Sequence, residues 1–340
     1  MTLDVMAELH SKARAKPQRV VLPEATEENV LLAARQLLDQ GLGLPLLVGR
    51  SAEVAEAAAG LGLELSGVEV IDGADDSARA RLIDECGSAV AGMSPKGLDR
   101  RLRTPLNLGA FLVAAGRADA LVAGIAHTTQ DVILAAMTFI GMQEGVTIPS
   151  SLMLMRVPGY EGPEGNLIVF ADCGVAVAPD ASELAEIAVT TAGSVRALLG
   201  WEPRVAMLSF STKGSGDHES VARVVEAVQI ARRRDPALLI DGELQLDAAI
   251  VPSVAARKVR DESTVAGRAN ILVFPDLNAG NIACKAVQRF AKADAFGPFL
   301  QGFAKTVCDL SRGATVADIV GAGVMACVHA QGRSSGARAS

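Results

Sequence analysis

Ser311, Arg312 and Asp318 fall in one short stretch, Asp309-Leu310-Ser311-Arg312-Gly313-Ala314-Thr315-Val316-Ala317-Asp318. A mostly apolar run, Gly297 to Leu310, leads into it, and a helix-like run, Val316 to Gln331, leads away. A hydroxyl, a guanidinium and a carboxylate therefore meet at a strand-to-helix junction, where open α/β proteins bind their ligands. Arg312 can grip a phosphate with two parallel hydrogen bonds. A helix start offers free N–H groups and the positive end of its dipole to an anion. The chemistry suggested is that of a site for an anionic, phosphorylated substrate. A structural reading stands beside it. Thr315-Val316-Ala317-Asp318 is a capping pattern, with Thr315 at N-cap and Asp318 at N3. A cap contributes about 1 kcal/mol, whereas a general base is worth roughly 10²–10⁴ in rate. Spacing by itself favours the cap.

Other groups sit at strand ends. Ser209-Phe210-Ser211-Thr212-Lys213-Gly214-Ser215-Gly216 follows a strand and precedes a helix. Its glycines could let successive N–H groups form an anion nest; alternatively it is a flexible loop with Ser215 or Asp217 capping the next helix. Its order does not match the Walker A spacing, so no NTPase is read. His127 ends another strand and could act as a general base or as a hydrogen-bonded structural residue. Thr128 and Thr129 could donate to an oxyanion, or Thr129 could cap the following helix. Cys173 has no base or cation near it in sequence, so a buried strand-end thiol is the better reading. Asn281, Lys285 and Arg289 share one helix face. That face begins at the C-terminal end of a strand, which makes Lys285 a candidate phosphate contact. Gly321-Ala322-Gly323-Val324-Met325-Ala326 fits GxGxxA but lies inside a helical run, so it signals close helix packing rather than a dinucleotide fingerprint. No GxSxG occurs, which disfavours an α/β-hydrolase.

The elements that must position these groups are legible in composition and pattern. The chain has 340 residues, enough for two domains or one large one. Half are hydrophobic and 3% aromatic, a core of Ala, Val, Leu and Ile that suits buried parallel strands under Ala-rich helices. A net charge of -7 argues against nucleic acid as the main partner. Five scattered cysteines without a CxxC, and four histidines in no metal-binding pair, indicate a reducing, cytosolic setting without disulfides or zinc. The N-terminus lacks a signal-peptide core, and no uncharged apolar run reaches the ~18 residues of a membrane span. Strands are expected at 19–22, 44–48, 68–71, 120–125, 151–157, 167–171, 205–210, 238–240 and 271–274, with helices between them. Among those helices are a leading one at 2–15, one from Glu27 capped by Thr26, two short ones over 95–116 broken at Thr104-Pro105, and one near 245–256. The loop 158–165 reads as a hairpin connection and hence a second, mixed sheet. The alternation of strand and helix argues a parallel-sheet α/β architecture. The small, polar tail from Gly332 is expected to lack structure.

With these residues identified, the chain resembles the phosphate acetyltransferase (phosphotransacetylase) family in its short, single-module form. The resemblance runs from about Val20 to Ala330 and is carried by Leu22-Pro23-Glu24-Ala25, His127-Thr128-Thr129, Phe170-Ala171-Asp172-Cys173 and Arg204 to Thr212. It continues through Asp241-Gly242-Glu243, Val273 to Leu277, Gly280-Asn281-Ile282 and Asp309 to Gly313. It implies two α/β domains with mostly parallel sheets, a fold similar to isocitrate and isopropylmalate dehydrogenases, an active site in the cleft between the domains, and a homodimer. The domains would be 1–157 with 300–340, and 158–299. It implies reversible transfer of an acetyl group between coenzyme A and phosphate. Acetyl-CoA, phosphate and acetyl phosphate would be substrates, with no permanently bound cofactor and no metal. By resemblance, Asp318 is the general base for the CoA thiol, Ser311 bonds the reacting thiol or carbonyl, and Arg312 grips phosphate. Arg103 matches a second family arginine, and Ser211 and Thr212 match the small-anion loop. His127, Thr128, Thr129, Asn281 and Lys285 complete the expected substrate contacts. Two departures stand out: Leu134-Ala135 replaces an Arg-Pro pair, which leaves propanoyl or butanoyl transfer open, and Ala314 replaces a frequent Cys. A catalytically silent acyl-CoA-binding module is the alternative from another class. An NAD-dependent dehydrogenase is disfavoured by the missing fingerprint.

Overall fold

The computed structural model describes residues 5–336. Two compact units emerge: Gly145–Gly302 is one, and the described residues before Gly145 and after Gly302 form the other. In chain order the outer unit runs α1 (Val5–Ala15), β1 (Arg19–Leu22), α2 (Glu28–Asp39), β2 (Leu44–Val48), α3 (Ser51–Gly60) and β3 (Glu69–Ile71). It continues with α4 (Asp76–Cys86), α5 (Pro95–Arg101), α6 (Pro105–Ala114), β4 (Ala120–Ala123) and α7 (Thr129–Phe139). The inserted unit runs β5 (Ser150–Arg156), β6 (Leu167–Ala171), α8 (Ala181–Leu199), β7 (Arg204–Leu208), α9 (Glu219–Arg234) and β8 (Leu239–Leu244). Then come α10 (Leu246–Ile250), α11 (Pro252–Lys258), β9 (Ile271–Val273), α12 (Leu277–Phe290) and β10 (Asp294–Gln301). The outer unit resumes with β11 (Thr306–Asp309) and α13 (Val316–Gly336).

In the outer unit the strand order is β3-β2-β1-β4-β11, every pair parallel. Each residue of β4 and β11 is buried, as expected for strands covered on both faces. Register sets which strand ends meet. Val21 lies opposite Leu121, and Asp309 opposite Ala123. Strands β1, β4 and β11 are thus neighbours that end on one edge. Pro23-Glu24, Gly124 to Thr129 and Leu310 to Arg312 must emerge side by side there.

In the inserted unit the order is β10-β5-β6-β9-β7-β8. Strands β10 and β5, and β5 and β6, pair antiparallel; the remaining pairs are parallel. The antiparallel β5–β6 pair is the hairpin that the loop 158–165 implied. Helix α8 carries a reciprocal Asp180–Glu183 capping box and stops at Gly200, whose φ of +72° is the left-handed cap.

Several local expectations need correction. Glu27 is the N-cap of α2, without a side-chain bond, so Thr26 does not cap it. Thr128, not Thr129, caps α7. His218 caps α9 through a bond from the Ser220 N–H, displacing Ser215 and Asp217. The helix expected near 245–256 is two helices, split at Val251 before Pro252, whose ring disfavours helical geometry in the preceding residue. The tail is helical as far as Gly336; residues 337–340, and residues 2–4 of the leading helix, lie outside the described residues. By contrast, the break at Thr104-Pro105 and the packing role of GxGxxA hold. A Cβ on Gly323 would come within 2.9 Å of a Leu37 methyl on α2.

Candidate active site

The edge where β1, β4 and β11 end carries most of the residues singled out above. Thr128 accepts the Asp131 N–H through its hydroxyl, and Asp131 accepts the Thr128 N–H in return. This closes the first turn of α7 and holds Asp131 below the usual carboxylate range. The bond that the Thr128 hydroxyl donates to Asp131 Oδ2 at 2.6 Å dominates, followed by the Thr128 N–H bond, with a smaller contribution from the nearby charge of Arg312. Arg312 thus lies in the electrostatic neighbourhood of the His127 segment. Ser311 and Arg312 are exposed. The Ser311 hydroxyl accepts the Gly313 N–H at 3.3 Å, shaping the turn into α13.

At the start of α13 the Asp318 Oδ2 accepts the Thr315 N–H at 2.9 Å and its hydroxyl at 2.8 Å, while the Thr315 hydroxyl accepts the Asp318 N–H at 3.3 Å. The capping box is formed. It leaves Asp318 exposed and its second oxygen without a partner among the described residues. A cap on an exposed helix start does not preclude proton transfer.

Thr129 turns inward. Its hydroxyl donates to Asp309 at 2.5 Å, tying the start of α7 to the end of β11. Asp309 is buried, and its other oxygen makes no hydrogen bond among the described residues. Burial raises its pKa to about 6, with a smaller push from the charge of Glu24, against the opposing bonds from Thr129 and Leu310. The folded chain therefore holds this proton more tightly than the unfolded chain does. The resulting stabilisation is complete below the unfolded pKa of about 3.9 and is lost as pH rises through about 6. Its size is on the order of 3 kcal/mol. Chemical unfolding of wild type and Asp309→Asn at pH 5 and pH 7 should show wild type gaining relative to the variant at pH 5. An equal pH dependence in both would refute this.

A cavity of about 600 Å³ opens beside this edge, lined by Glu24, Arg50, Arg103, Ala126 and His127 among others. Arg103 is exposed and spans Asp76 at 3.2 Å and Asp99 at 3.4 Å. Such surface pairs are worth ~0–1 kcal/mol, so an anionic ligand could draw Arg103 away at little cost.

The inserted unit holds the remaining residues. The nest expected at Ser211–Gly216 does not form, because every N–H of the loop donates within the fold. Ser211 N–H goes to Ser209, Thr212 to Ser215 Oγ, Lys213 to the Glu243 carbonyl, Gly214 to the Glu243 carboxylate, Ser215 to the Thr212 carbonyl, and Gly216 to Ser211 Oγ. The Ser211 hydroxyl donates to buried Glu243 at 2.7 Å, and the Thr212 hydroxyl accepts the Gln245 N–H at 2.9 Å. Lys213 pairs with Asp241. On α12, Asn281 donates to the Cys173 carbonyl at 3.0 Å, and Lys285 is exposed one turn on. Cys173 is buried. Its thiol is pushed far up, first by its hydrogen bond with Cys284 and then by burial, which suits a structural thiol. Among the described residues no group of three or more His, Cys, Asp or Glu could hold a metal ion, and no helix is long and apolar enough to cross a membrane.

Two acids that carry much of this geometry, Glu24 and Asp309, received no role from sequence. The available signal was an acid at the end of an apolar strand.

Fold and site together define a two-unit α/β protein that presents a hydroxyl, a guanidinium and a carboxylate where parallel strands end. The chain belongs to the phosphate acetyl/butaryl transferase family, whose model matches residues 4–327. It is 42% identical to the phosphate acetyltransferase of Thermoanaerobacterium thermosaccharolyticum over 97% of this chain and 100% of that protein. Among solved structures it is similar to the EutD phosphotransacetylase from Staphylococcus aureus, with a TM-score of 0.88 and 37% identity over 97% of this chain and 99% of that one. A likeness of fold alone, with a TM-score of 0.51 and 12% identity over 93% and 99% of the two chains, extends to a putative 4-hydroxythreonine-4-phosphate dehydrogenase from Salmonella typhimurium.

Proposed function

We propose that this protein is a phosphate acetyltransferase, interconverting acetyl-CoA plus phosphate with acetyl phosphate plus CoA. The observation that carries the reading is near-full-length similarity to phosphate acetyltransferases, with Ser311, Arg312 and Asp318 all present and exposed after β11. A thiol ionises near pH ~8.5, so a base helps at neutral pH. Asp318 takes the CoA thiol proton. The thiolate attacks the carbonyl carbon of acetyl phosphate, the C–S bond forms, and the C–O bond to phosphate breaks as phosphate leaves. Arg312 balances the charge on the phosphate, and Ser311 donates to the reacting centre. Arg103, His127, Lys285 and Asn281 are proposed as further substrate contacts. Thr128 and Thr129 hold the segment around His127. Ser211 and Thr212 shape their loop, and a phosphate contact by either requires that loop to open. We further propose that the two units act as the two domains of a cytoplasmic homodimer, without a resident cofactor.

A second acyl preference has a specific observation behind it. Leu134 stands where the resemblance implies an arginine, and 63% of it is exposed on α7. An apolar group there favours propanoyl or butanoyl chains more than a cation would. The test is purified protein with CoA and acetyl, propanoyl or butanoyl phosphate, following thioester formation. Thioester from acetyl phosphate is expected, and none from any donor would overturn the enzyme reading.

A further inference from the structure

Glu24 lies beyond the end of β1, separated from Leu22 by Pro23, and is only 5% exposed. Its carboxylate collects the loop after β4. Oε1 accepts the N–H of Gly124 at 3.1 Å and of Ala126 at 2.8 Å; Oε2 accepts Gly124 at 3.0 Å and Ile125 at 3.1 Å. Three successive N–H groups converging on one anion make a nest. Here the protein's own carboxylate fills it. The same Oε1 lies 2.8 Å from His127 Nδ1. A carboxylate accepts and does not donate, so the ring proton belongs on Nδ1. Nε2 has no protein partner among the described residues. His127 itself is part of the cavity wall, with 28% of its side chain accessible.

On the functional reading given above, we propose that Glu24 is a positioning residue for the transfer reaction: it fixes the loop Gly124–His127 and locks His127 as the Nδ1–H tautomer, leaving Nε2 as the substrate-facing nitrogen. The pairing sets both the ring's orientation and which nitrogen is open. The arrangement resembles the way a carboxylate fixes a metal-binding or catalytic imidazole. It also assigns Nε2 two partners by protonation state. Neutral His127 accepts from a substrate N–H or O–H. Should it gain a second proton, the ring donates to a phosphate, with Glu24 balancing the charge.

Long-range proton–nitrogen NMR on the histidine rings tests this, since the chain has four histidines and His127→Gln assigns the one in question. In the wild type the His127 proton is expected on Nδ1. In Glu24→Ala, where water from the adjoining cavity can reach the freed N–H groups, the ring should shift to the Nε2–H form. Its kcat/KM for thioester formation should fall by about 10²-fold. A purely structural Glu24 would lower the melting temperature and leave the tautomer unchanged. That result, or a wild-type proton on Nε2, overturns the proposal. The wild-type spectrum decides even if the variant does not fold. A wild type that forms no thioester would count against the functional reading alone, because the ring-nitrogen measurement does not depend on turnover.

Discussion

Replacing Asp318 with asparagine should lower turnover by roughly 10²–10⁴ while costing less than about 1 kcal/mol of stability. On the proposed mechanism the two effects separate, because the cap needs only an acceptor at one oxygen whereas proton abstraction needs a base. Oδ2 is bound to the Thr315 N–H and hydroxyl, and an asparagine oxygen can still accept from that N–H. What the fold loses is a negative charge near a helix start, worth ~0.3–1 kcal/mol at an exposed position. Proton abstraction from a thiol has no substitute, since an amide oxygen is far too weak a base. Steady-state kcat and a denaturant midpoint on the same preparation give both numbers. Near-normal turnover with a loss of about 1 kcal/mol would reduce Asp318 to a cap and remove the base from the proposed mechanism.

That both readings of Asp318 stay compatible shows where sequence pattern succeeds and stops. The Thr315–Asp318 box, the split at Thr104-Pro105 and the hairpin before β6 depend on residues a few positions apart, and local spacing made them legible. Strands β1 and β2 were legible as short apolar runs, whereas β4 stops at Ala123, two residues before its expected end, and β11 was visible only as part of a longer apolar run. Buried carboxylates were not legible. Glu24 meets its partners about a hundred positions away. Glu243, on the neighbouring strand β8, takes up the Ser211 hydroxyl and the Gly214 N–H from the loop after β7, 32 and 29 positions away. Asp172, also buried, gathers the N–H groups of Ser151, Gly174 and Val175. Glu24 and Glu243 are buried acids that only the tertiary fold supplies with donors, whereas Asp172 draws on Ser151 from β5 and on Gly174 and Val175 just after it in the chain. The Ser211–Gly216 loop has the glycines and hydroxyls of an anion nest, but its N–H groups are taken up by nearby hydroxyls, by backbone carbonyls and, for Gly214, by the Glu243 carboxylate. Thr128 and Thr129 are adjacent and alike, and only register decides which caps α7 and which reaches Asp309.

Gly124→Ala should be among the most damaging single substitutions in the outer unit, costing about 2–6 kcal/mol. Two independent causes add. Gly124 has φ of +125°, a region that residues with a Cβ rarely enter. An added Cβ would also lie 2.5 Å from the Asp309 side chain, 2.6 Å from the Leu310 carbonyl and 2.7 Å from the Leu310 nitrogen. Two of those atoms are backbone and cannot swing aside, and the Leu310 N–H is bonded to the Ala123 carbonyl at 2.7 Å. Relief therefore requires parting β4 from β11 just before Ser311 and Arg312, or breaking the Gly124 bond to Glu24. Either movement displaces the His127 segment from the Ser311-Arg312 turn, so surviving folded protein should also lose activity. Gly141→Ala is the matched control. Gly141 also has positive φ, at +75°, but open space lies where its Cβ would go, so only the conformational cost of about 1–2 kcal/mol applies. Denaturant unfolding of the two variants separates crowding from backbone strain. Equal destabilisation by both would mean that the β4–β11 junction yields to a methyl group, and that the close approach of these two strand ends is not what holds the candidate site in register.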